Sequence, residues 1–246
     1  RLMRDREIDT VLLFGDCRPL HEAAREVTLR LGAELWVFEE GYVRPNFVTL
    51  ERWGVNGFSQ VRQVLQSINH LPPAQKERNV GSTFRSMAWQ AFAYGAAYLL
   101  GKSLFPHYTH HRPLGLKEGG RWLRAGWRKL KFRWTERHML SELCGPDRPP
   151  FFLVPLQVFN DAQVTVHAQI RSIPSFIRCV AESFATHAPK DARLVFKHHP
   201  MDRGHTDYGA LIERVAASLG IKDRIFYIHD QHLPTLLECA TGVVVI

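Results

Sequence analysis

Several features that mark common protein classes are scarce or missing in this 246-residue sequence. The four cysteines, Cys17, Cys144, Cys179 and Cys239, are far apart and form no CxxC pair, which excludes a cysteine metal framework and favours a reducing compartment. No GxGxxG, GxxxxGKS/T or HExxH motif occurs, so the common dinucleotide, P-loop and zincin classes have no support. The longest mainly apolar run, residues 88–100, is too short and too interrupted to span a bilayer.

Acidic residues are outnumbered, with 24 Asp and Glu against 32 Lys and Arg, which gives a formal net charge of +8. This balance favours an anionic partner such as a nucleotide, a nucleic acid or an acidic lipid. The basic excess is concentrated in residues 121–138, where Lys and Arg are interleaved with Trp122, Trp127 and Trp134.

Apolar periodicity in the first half predicts alternating strands and helices. Two strands, Thr10–Phe14 and Glu34–Phe38, flank a helix at His21–Leu31, and such short connections predict a right-handed parallel unit. The pattern then predicts a short extended piece at Phe47–Leu50, a helix at Val61–Ile68, and a long apolar helix, packed on more than one side, at Phe84–Leu100. A basic helix at Arg121–Leu140 and a linker at Ser141–Pro150 follow.

A second series of strands and helices follows the linker. It comprises the strands Phe151–Leu156, Arg193–Lys197, Arg224–Ile228 and Gly242–Ile246, and the helices Pro174–His187, Tyr208–Leu219 and Leu233–Ala240. We therefore predict an α/β protein of two Rossmann-like domains: residues 1–145, with a helical and basic insertion at 84–140, and residues 146–246. Because the sequence starts without Met and stops within an apolar run, we also expect further chain at both ends.

Polar clusters fall where predicted strands end. Asp16 and Arg18 follow the first strand, Glu39 and Glu40 the second, and Lys197-His-His-Pro200 the strand at Arg193–Lys197. In open α/β sheets, ligands bind outside the carboxyl ends of the strands. A Lys beside a titratable imidazole suits a phosphate-bearing ligand there, and the alternative is a solvated strand end without a ligand.

Taken together, the motifs resemble a known family. They are Gly15-Asp-Cys-Arg-Pro19, Glu39-Glu-Gly-Tyr-Val-Arg-Pro45, Gly54-Val-Asn56, Pro155-Leu-Gln-Val158 with Asn160-Asp-Ala-Gln163, Lys197-His-His-Pro200 and His232-Leu-Pro-Thr-Leu236. In this order they look like the capsule-polysaccharide β-Kdo transferases of the KpsS/LipB type, from the first strand to the last residue. The paired acids and the later His-Pro are also similar to motifs of bacterial GT-B sialyltransferases, which use a CMP-sugar donor.

The resemblance implies a GT-B fold, in which two Rossmann-like domains face each other across a cleft. It implies CMP-Kdo as the donor substrate, transfer that retains the β configuration, and no metal or other cofactor. It also implies a lysophosphatidylglycerol-type lipid acceptor, on which the poly-Kdo linker of capsular polysaccharide is initiated. The protein would then be cytoplasmic and peripheral on the inner face of the cytoplasmic membrane, with other capsule assembly or export proteins as partners.

Retention requires two successive substitutions at the sugar carbon, so the chemistry needs a carboxylate nucleophile and a second acid or base. With the resemblance, Asp161 is the candidate nucleophile; its alternative is an Asx-turn residue that caps a loop. Glu39 and Glu40 are the candidate acid/base pair, with an exposed acidic turn as the alternative. Adjacent side chains on an extended stretch point to opposite sides, and we prefer Glu40 because Gly41 leaves room beside it.

The donor would be held by residues at the same strand ends. We expect His199 to hydrogen-bond or protonate the departing CMP phosphate, Lys197 to balance its charge, and Pro200 to fix the turn. Arg18 or Arg44 would hold the Kdo carboxylate through bidentate pairing, and the sequence leaves the choice between them open. Further donor contacts are expected from Gln157, Gln163, His232 and Thr235.

The basic helix has two interpretations. It is either a solvated helix whose aromatic residues pack on the domain, or a surface that meets anionic lipid headgroups. On the second interpretation, the lipid-facing residues are Arg121, Trp122, Arg124, Trp127, Arg128 and Lys131.

Three other functions compete with this interpretation. A Kdo-extending enzyme of the KpsC kind and a transferase for another CMP-sugar such as sialic acid use related chemistry. A nucleic-acid-binding protein would use the basic, Trp-rich helix to stack bases. That last function leaves Glu39, Glu40 and Asp161 without a task, so we expect no nucleic-acid partner.

Overall fold

The computed structural model of the protein describes residues 1–41, 47–67, 84–108, 116–146 and 148–246. Its internal contacts divide the chain into a first unit, Arg1–Thr109, and a second unit, His110–Ile246. The basic helix, which the sequence assigned to the first domain, lies within the second unit. A domain boundary at residue 145 stays a prediction about the whole protein.

The first unit contains a three-stranded sheet in the order β1-β2-β3. Strand β1 (Thr10–Phe14) pairs in parallel with β2 (Glu34–Glu40), and helix α2 (Pro19–Arg30) connects them, which confirms the predicted parallel unit. The predicted extended piece forms a third strand, β3 (Val48–Arg52), which pairs antiparallel to β2. Sequence periodicity predicted an extended piece here but did not assign it to the sheet, because a local pattern does not show which strand it pairs with.

Three further helices belong to the first unit: α1 (Leu2–Asp5), α3 (Val61–Ser67) and α4 (Phe84–Gly101). We expected α4 to be packed on more than one side, and this is wrong for the side chains that the structure describes. Trp89, Phe92 and Leu100 are exposed, and no described side chain of this helix is buried. Within the described parts of the chain, no helix combines the length and the apolar character needed to cross a membrane.

The second unit is built on a parallel sheet in the order β6-β5-β4-β7. Its strands are β4 (Phe151–Pro155), β5 (Arg193–Lys197), β6 (Ile225–Ile228) and β7 (Gly242–Val243). Helices α7 (Ile173–His187), α8 (Gly209–Leu219) and α9 (Leu233–Cys239) connect them in alternation. Strands β5 and β6 lie in succession on one side of β4, whereas β7 lies on its other side. The topological switch point is therefore between β4 and β7.

Two apolar layers cover the faces of this sheet. On one face, Phe196 packs with Ile177 of α7 and Ile212 of α8. On the other face, Val195 packs with Leu236 of α9 and Leu143 of helix α6 (Met139–Cys144). The expected linker at 141–150 is therefore wrong over its first four residues, because burial of Leu143 holds them in a helix against the sheet.

Candidate functional site

The carboxyl ends of three strands of the second sheet are aligned in register. Pro155 of β4 pairs with Lys197 of β5, and Lys197 pairs with Ile228 of β6. The ladder continues one step further, because the His198 amide donates to the Ile228 carbonyl at 2.8 Å. The loops after these strands therefore leave the sheet at one place, which we call the second edge: residues 157–163, 197–203 and 229–235.

Two buried cations occupy the second edge. Lys197 is 6% exposed, and its Nζ donates to the His229 carbonyl at 3.4 Å. Burial and the nearby Arg203 guanidinium lower the pKa of Lys197. Arg203, also buried, forms an ion pair with Asp230 at 2.6 Å. The sequence identified Lys197 from its motif but missed Arg203, which follows the motif by three residues.

The two histidines of the Lys-His-His-Pro motif have different surroundings. His199 is half-buried and its Nδ1 accepts from the Met201 amide at 3.2 Å, so it caps the short turn that begins at the exposed Pro200. His198 is 1% exposed, and its Nδ1 lies 2.6 Å from the Tyr227 hydroxyl. Burial and the neighbouring His229 lower the pKa of His198 to about 4, so this imidazole is neutral at pH 7.

A buried carboxylate reaches the second edge from a distant part of the sequence. Glu136, 9% exposed, follows helix α5 (Leu116–Thr135) and accepts from His229 Nδ1 at 2.6 Å. It also accepts from the backbone amides of His229 at 2.8 Å and Asp230 at 3.2 Å. Burial alone would raise the pKa of Glu136, but these hydrogen bonds lower it. The signal in the sequence was that Glu136 is the only acid among the basic residues 121–138.

On its inner side, helix α5 contacts the loop after β5. Arg128 donates to the carbonyls of Arg203 and Thr206 at 2.9 and 3.0 Å, and it pairs with Asp207 at 2.9 Å. The backbone at Gly204 lies so near the Arg121 carbonyl that there is no room for a Cβ at residue 204. Arg128 therefore binds the protein itself, and this contact geometry contradicts its expected place on a lipid-facing surface.

The opposite side of α5 faces away from the sheet. Leu123, Trp127, Leu130 and Trp134 recur at helical spacing and are exposed, which defines an outer stripe. Exposed Arg124 and Lys131 lie beside this stripe, and Lys131 Nζ lies 5.6 Å from the Trp127 ring centroid. Trp122 is exposed as well, and Arg121 forms an ion pair with Glu118. The interpretation in which the aromatic residues pack on the domain does not describe these tryptophans.

The loop after β4 places Asp161 in an Asx turn. Its Oδ1 accepts from the Gln163 amide at 2.9 Å, at the start of a π-helical turn over Gln163–His167. Gln157, Asp161 and Gln163 are half-buried. The Phe159 ring lies 5.8 Å from that of His205, so this loop adjoins the loop after β5. Both the nucleophile and the loop-capping interpretation of Asp161 are compatible with this geometry.

His232 and Thr235 form a local pair at the start of α9. His232 Nδ1 lies 2.9 Å from the Thr235 hydroxyl oxygen, and His232 is the N-cap residue of that helix. His232 is exposed, whereas Thr235 is half-buried. Their recorded contact is structural, and donor binding by these two residues stays a prediction.

Glu39 and Glu40 lie at the carboxyl end of β2, as the sequence predicted. The Glu39 carboxylate accepts from the Glu40 amide at 3.0 Å and lies beside Gly15 at the end of β1. The space that we assigned to Gly41 does not exist, because the backbone of Phe47 occupies it and accepts from the Gly41 amide at 2.9 Å. Space beside Gly41 therefore gives no reason to prefer Glu40. We expect Glu39, whose carboxylate accepts from the Glu40 amide at the strand end, to be the acid/base.

Asp16 has a role in this unit that the sequence did not reveal. It is buried and accepts from the Val55 amide at 3.1 Å and from the Cys17 thiol at 3.3 Å. A Cβ on Gly54 would lie 2.9 Å from this carboxylate, which explains the glycine. Asp16 thus joins the motif at Gly15–Pro19 to that at Gly54–Asn56. Burial and Asp16 raise the pKa of Cys17 to about 12, which keeps the thiol protonated.

The two candidate arginines for the Kdo carboxylate differ in what is known of them. Arg18 is exposed at the N-terminus of α2, with its guanidinium carbon 6.0 Å from the Phe14 ring centroid. Arg44 lies outside the described residues. Among the residues that the structure describes, no group of three or more His, Cys, Asp or Glu side chains is placed to hold a metal ion.

The four-stranded parallel sheet, the helices that connect its strands and its switch point define an α/β protein. Residues 9–246 match the family model of the capsule polysaccharide biosynthesis proteins, and the chain belongs to this family.

Sequence similarity to curated proteins supports the same family. The chain is 39% identical over 251 residues to the capsule polysaccharide export protein KpsS of Escherichia coli, an alignment that covers 100% of the chain and 64% of that protein. It is 37% identical to the capsule polysaccharide modification protein LipB of Neisseria meningitidis serogroup B, which covers 97% of the chain and 59% of that protein. LipB of serogroup A gives the same identity and coverage. The chain therefore spans roughly three fifths of the length of these relatives.

Proposed function

We propose that the protein is a retaining glycosyltransferase that moves Kdo from CMP-Kdo to a lysophosphatidylglycerol-type lipid and so initiates the poly-Kdo linker of capsular polysaccharide. The observation that carries this proposal is the pair of buried cations at the second edge, Lys197 and Arg203. They lie where open α/β sheets bind their ligands, in a member of a capsule polysaccharide biosynthesis family.

Lys197 is the main phosphate contact in this proposal. Its ammonium carries three N–H donors, and the hydrogen bond recorded for it is a long one to a carbonyl. A phosphate bound there would replace the hydration that Lys197 lost on burial. Arg203 adds a second positive charge while it stays paired with Asp230. These two cations and the expected contact from His199 neutralise the CMP phosphate, so the proposed reaction needs no metal or other cofactor.

Two displacements at the anomeric carbon account for retention. In the first, an Asp161 carboxylate oxygen bonds to that carbon while the bond to the CMP phosphate breaks and CMP leaves with the electron pair. In the second, the acceptor hydroxyl oxygen attacks the same carbon, the bond to Asp161 breaks, and the hydroxyl proton passes to Glu39 or Glu40. In this proposal Gln157 and Gln163 of the Asp161 loop bind sugar hydroxyls, and Arg18 or Arg44 binds the Kdo carboxylate.

The GT-B arrangement of two Rossmann-like domains stays part of this proposal. So does a peripheral location on the inner face of the cytoplasmic membrane, where capsule assembly and export proteins would be partners. The outer stripe of α5 supports membrane contact, because Trp and Leu flanked by Arg and Lys suit the interface of an anionic bilayer.

The test is a transfer assay with the full-length protein. CMP-Kdo and lysophosphatidylglycerol are incubated with it, and lipid mass and released CMP are measured. The proposal predicts one Kdo-lipid product with CMP in equal amount. A reaction only with CMP-sialic acid would indicate another CMP-sugar transferase, and a reaction only with a Kdo-bearing acceptor would indicate an extending enzyme. Release of no CMP under any of these conditions would contradict the proposal.

A further inference from the structure

Glu136 belongs to no motif of the resemblance, yet it is one of the most fully bonded carboxylates at the second edge. Its Oε1 lies 2.6 Å from His229 Nδ1, and its Oε2 accepts two backbone amides, those of His229 and Asp230. Its own carbonyl accepts from the Gln231 side chain at 2.8 Å. Glu136 thus binds three consecutive residues of the loop after β6, although it lies 93 residues from His229 in the sequence.

The His229 ring is fixed on two sides. The Phe132 ring stacks on it, with centroids 3.6 Å apart and planes 5° from parallel. Because a carboxylate faces Nδ1, that nitrogen carries a proton, and the second ring nitrogen, Nε2, points away from Glu136. Phe132 and Glu136 are four residues apart on the chain, so one helical turn presents both contacts.

The peptide that Glu136 holds also determines where the two cations lie. The carbonyl of His229 accepts from Lys197 Nζ, and the carboxylate of the next residue, Asp230, pairs with Arg203. Glu136 itself touches neither cation in the recorded contacts. If residues 229–230 shift, the partners of Lys197 and Arg203 shift with them.

From these contacts, the geometry points to Glu136 as a positioning residue of the donor-phosphate site, which acts through His229 and Asp230 on Lys197 and Arg203. This inference rests on the proposed function. Its physical basis is preorganisation: cations that are already fixed at the phosphate position lose little entropy and need little rearrangement when the phosphate binds. No bond to the substrate is assigned to Glu136.

A matched pair of variants separates positioning from general stability. Glu136→Gln keeps the shape of the side chain but removes the charge that faces His229. Glu118→Gln is the control, because Glu118 lies on the same side of α5 and contacts His205 and Arg121, away from residues 229–230. Both are made in the full-length protein, and calorimetry measures the dissociation constant for CMP while initial rates give kcat and KM for CMP-Kdo.

We expect Glu136→Gln to raise the dissociation constant for CMP and the KM for CMP-Kdo about tenfold or more, with a smaller effect on kcat. Glu118→Gln should change each value less than twofold. A purely structural role of Glu136 would lower the thermal stability of Glu136→Gln and leave its dissociation constant for CMP unchanged. If the wild-type protein binds CMP and Glu136→Gln binds it equally well, the proposed donor stands and the inference is overturned.

A second measurement does not depend on a variant that folds. In the wild-type protein labelled with ¹⁵N at histidine, the His229 ring shifts should show a protonated Nδ1 at pH 7, and Nε2 should respond to added CMP. A His229 ring with Nδ1 unprotonated would overturn the inference. A wild-type protein that binds no CMP at all would instead contradict the proposed donor, and the inference with it.

Discussion

The carboxyl edges of the two sheets use their charged residues in opposite ways. At the first sheet most of the charged residues are acidic, and the carboxylate of Asp16 is bonded within the protein, because it accepts hydrogen bonds from Val55 and Cys17. At the second sheet the central charges are cationic, and Lys197 is held by one long hydrogen bond. Both Asp16 oxygens are thus engaged within the fold, whereas the bond recorded for Lys197 uses one of its three N–H donors, and we expect a ligand to use the others. The difference predicts which substitutions affect catalysis and which affect stability.

The largest effect is expected at Asp161. Asp161→Asn keeps the oxygen that accepts from the Gln163 amide, so the turn should persist, but an amide cannot form the glycosyl ester. Turnover should fall on the order of 10⁴-fold, measured as CMP release. Asp207→Asn is the control, because Asp207 Oδ1 accepts from the Gly209 amide in the same kind of turn. Since this variant also weakens the ion pair with Arg128, urea unfolding of both variants is measured alongside. Comparable losses in both variants would show that the turn, and not the nucleophile, is being measured.

The next effect distinguishes the two acids at the carboxyl end of β2, Glu39 and Glu40. Glu39→Gln should lower kcat roughly 10²- to 10³-fold, since its carboxylate is held at the strand end beside Gly15. Glu40→Gln should lower it less than tenfold. The same transfer assay measures both, and the reverse order would return the acid/base role to Glu40.

The attachment of α5 to the second edge is tested by glycine substitutions. Gly204→Ala places a methyl group against the Arg121 carbonyl and should lower the free energy of unfolding by about 1–3 kcal/mol. Gly126 lies in the same helix with open space around it, so Gly126→Ala should raise the free energy of unfolding by about 0.5–1 kcal/mol. Urea unfolding of both proteins checks the signs, and a stabilised Gly204→Ala protein would contradict this docking.

Acid should destabilise the second edge through His198. Burial, then His229 and Arg203, lower its pKa to about 4 in the folded protein, against the opposing effects of a backbone hydrogen bond with Asp202 and of the Asp207 charge. The unfolded chain has the ordinary value of 6.5. The unfolded chain therefore binds the extra proton first as the pH falls. Stability should be unaffected above pH 6.5, decline between 6.5 and 4, and lose about 2 kcal/mol of unfolding free energy from this group by pH 5.

A His198→Asn protein provides the comparison for this pH effect. Urea unfolding at pH 7 and pH 5 should show a smaller decline in the variant than in the wild-type protein. Equal declines in the two proteins would assign the acid sensitivity to other groups.

The smallest effect concerns the outer stripe. Replacing Arg124 and Lys131 by Gln should weaken binding to phosphatidylglycerol vesicles roughly tenfold at low salt. CMP binding should be unchanged, because neither residue contacts the second edge in the recorded geometry. Arg128 is left intact, since its loss would detach the loop at Arg203–Asp207. Equal vesicle binding by the double variant and the wild-type protein would remove the lipid contact.

Local patterns in the sequence were sufficient to predict the strands that are buried on both faces. Phe151–Pro155 and Arg193–Lys197 are both short apolar runs. The pattern predicts Arg193–Lys197 with its observed bounds, and it predicts Phe151–Pro155 with one residue too many at its end. The motif at Glu39 likewise lies at a strand end, as expected.

The same patterns could not predict contacts between residues that are distant in the sequence. The bonds from Glu136 to His229 and from Arg128 to the loop after β5 each join residues more than 70 positions apart. Helical spacing shows that α5 has two faces, but it does not show which basic residue lies on the inner one. The pairing of β3 with β2 depends on a chain reversal, which also escapes a local pattern.

The proposed double-displacement mechanism depends most directly on a covalent bond between Kdo and Asp161. The full-length protein is incubated with CMP-Kdo in the absence of acceptor, quenched in acid and digested, and the peptides are analysed by mass spectrometry. We predict a Kdo adduct on the peptide that contains Asp161 and none in Asp161→Asn. An adduct on another residue, or efficient transfer by Asp161→Asn, would contradict the account.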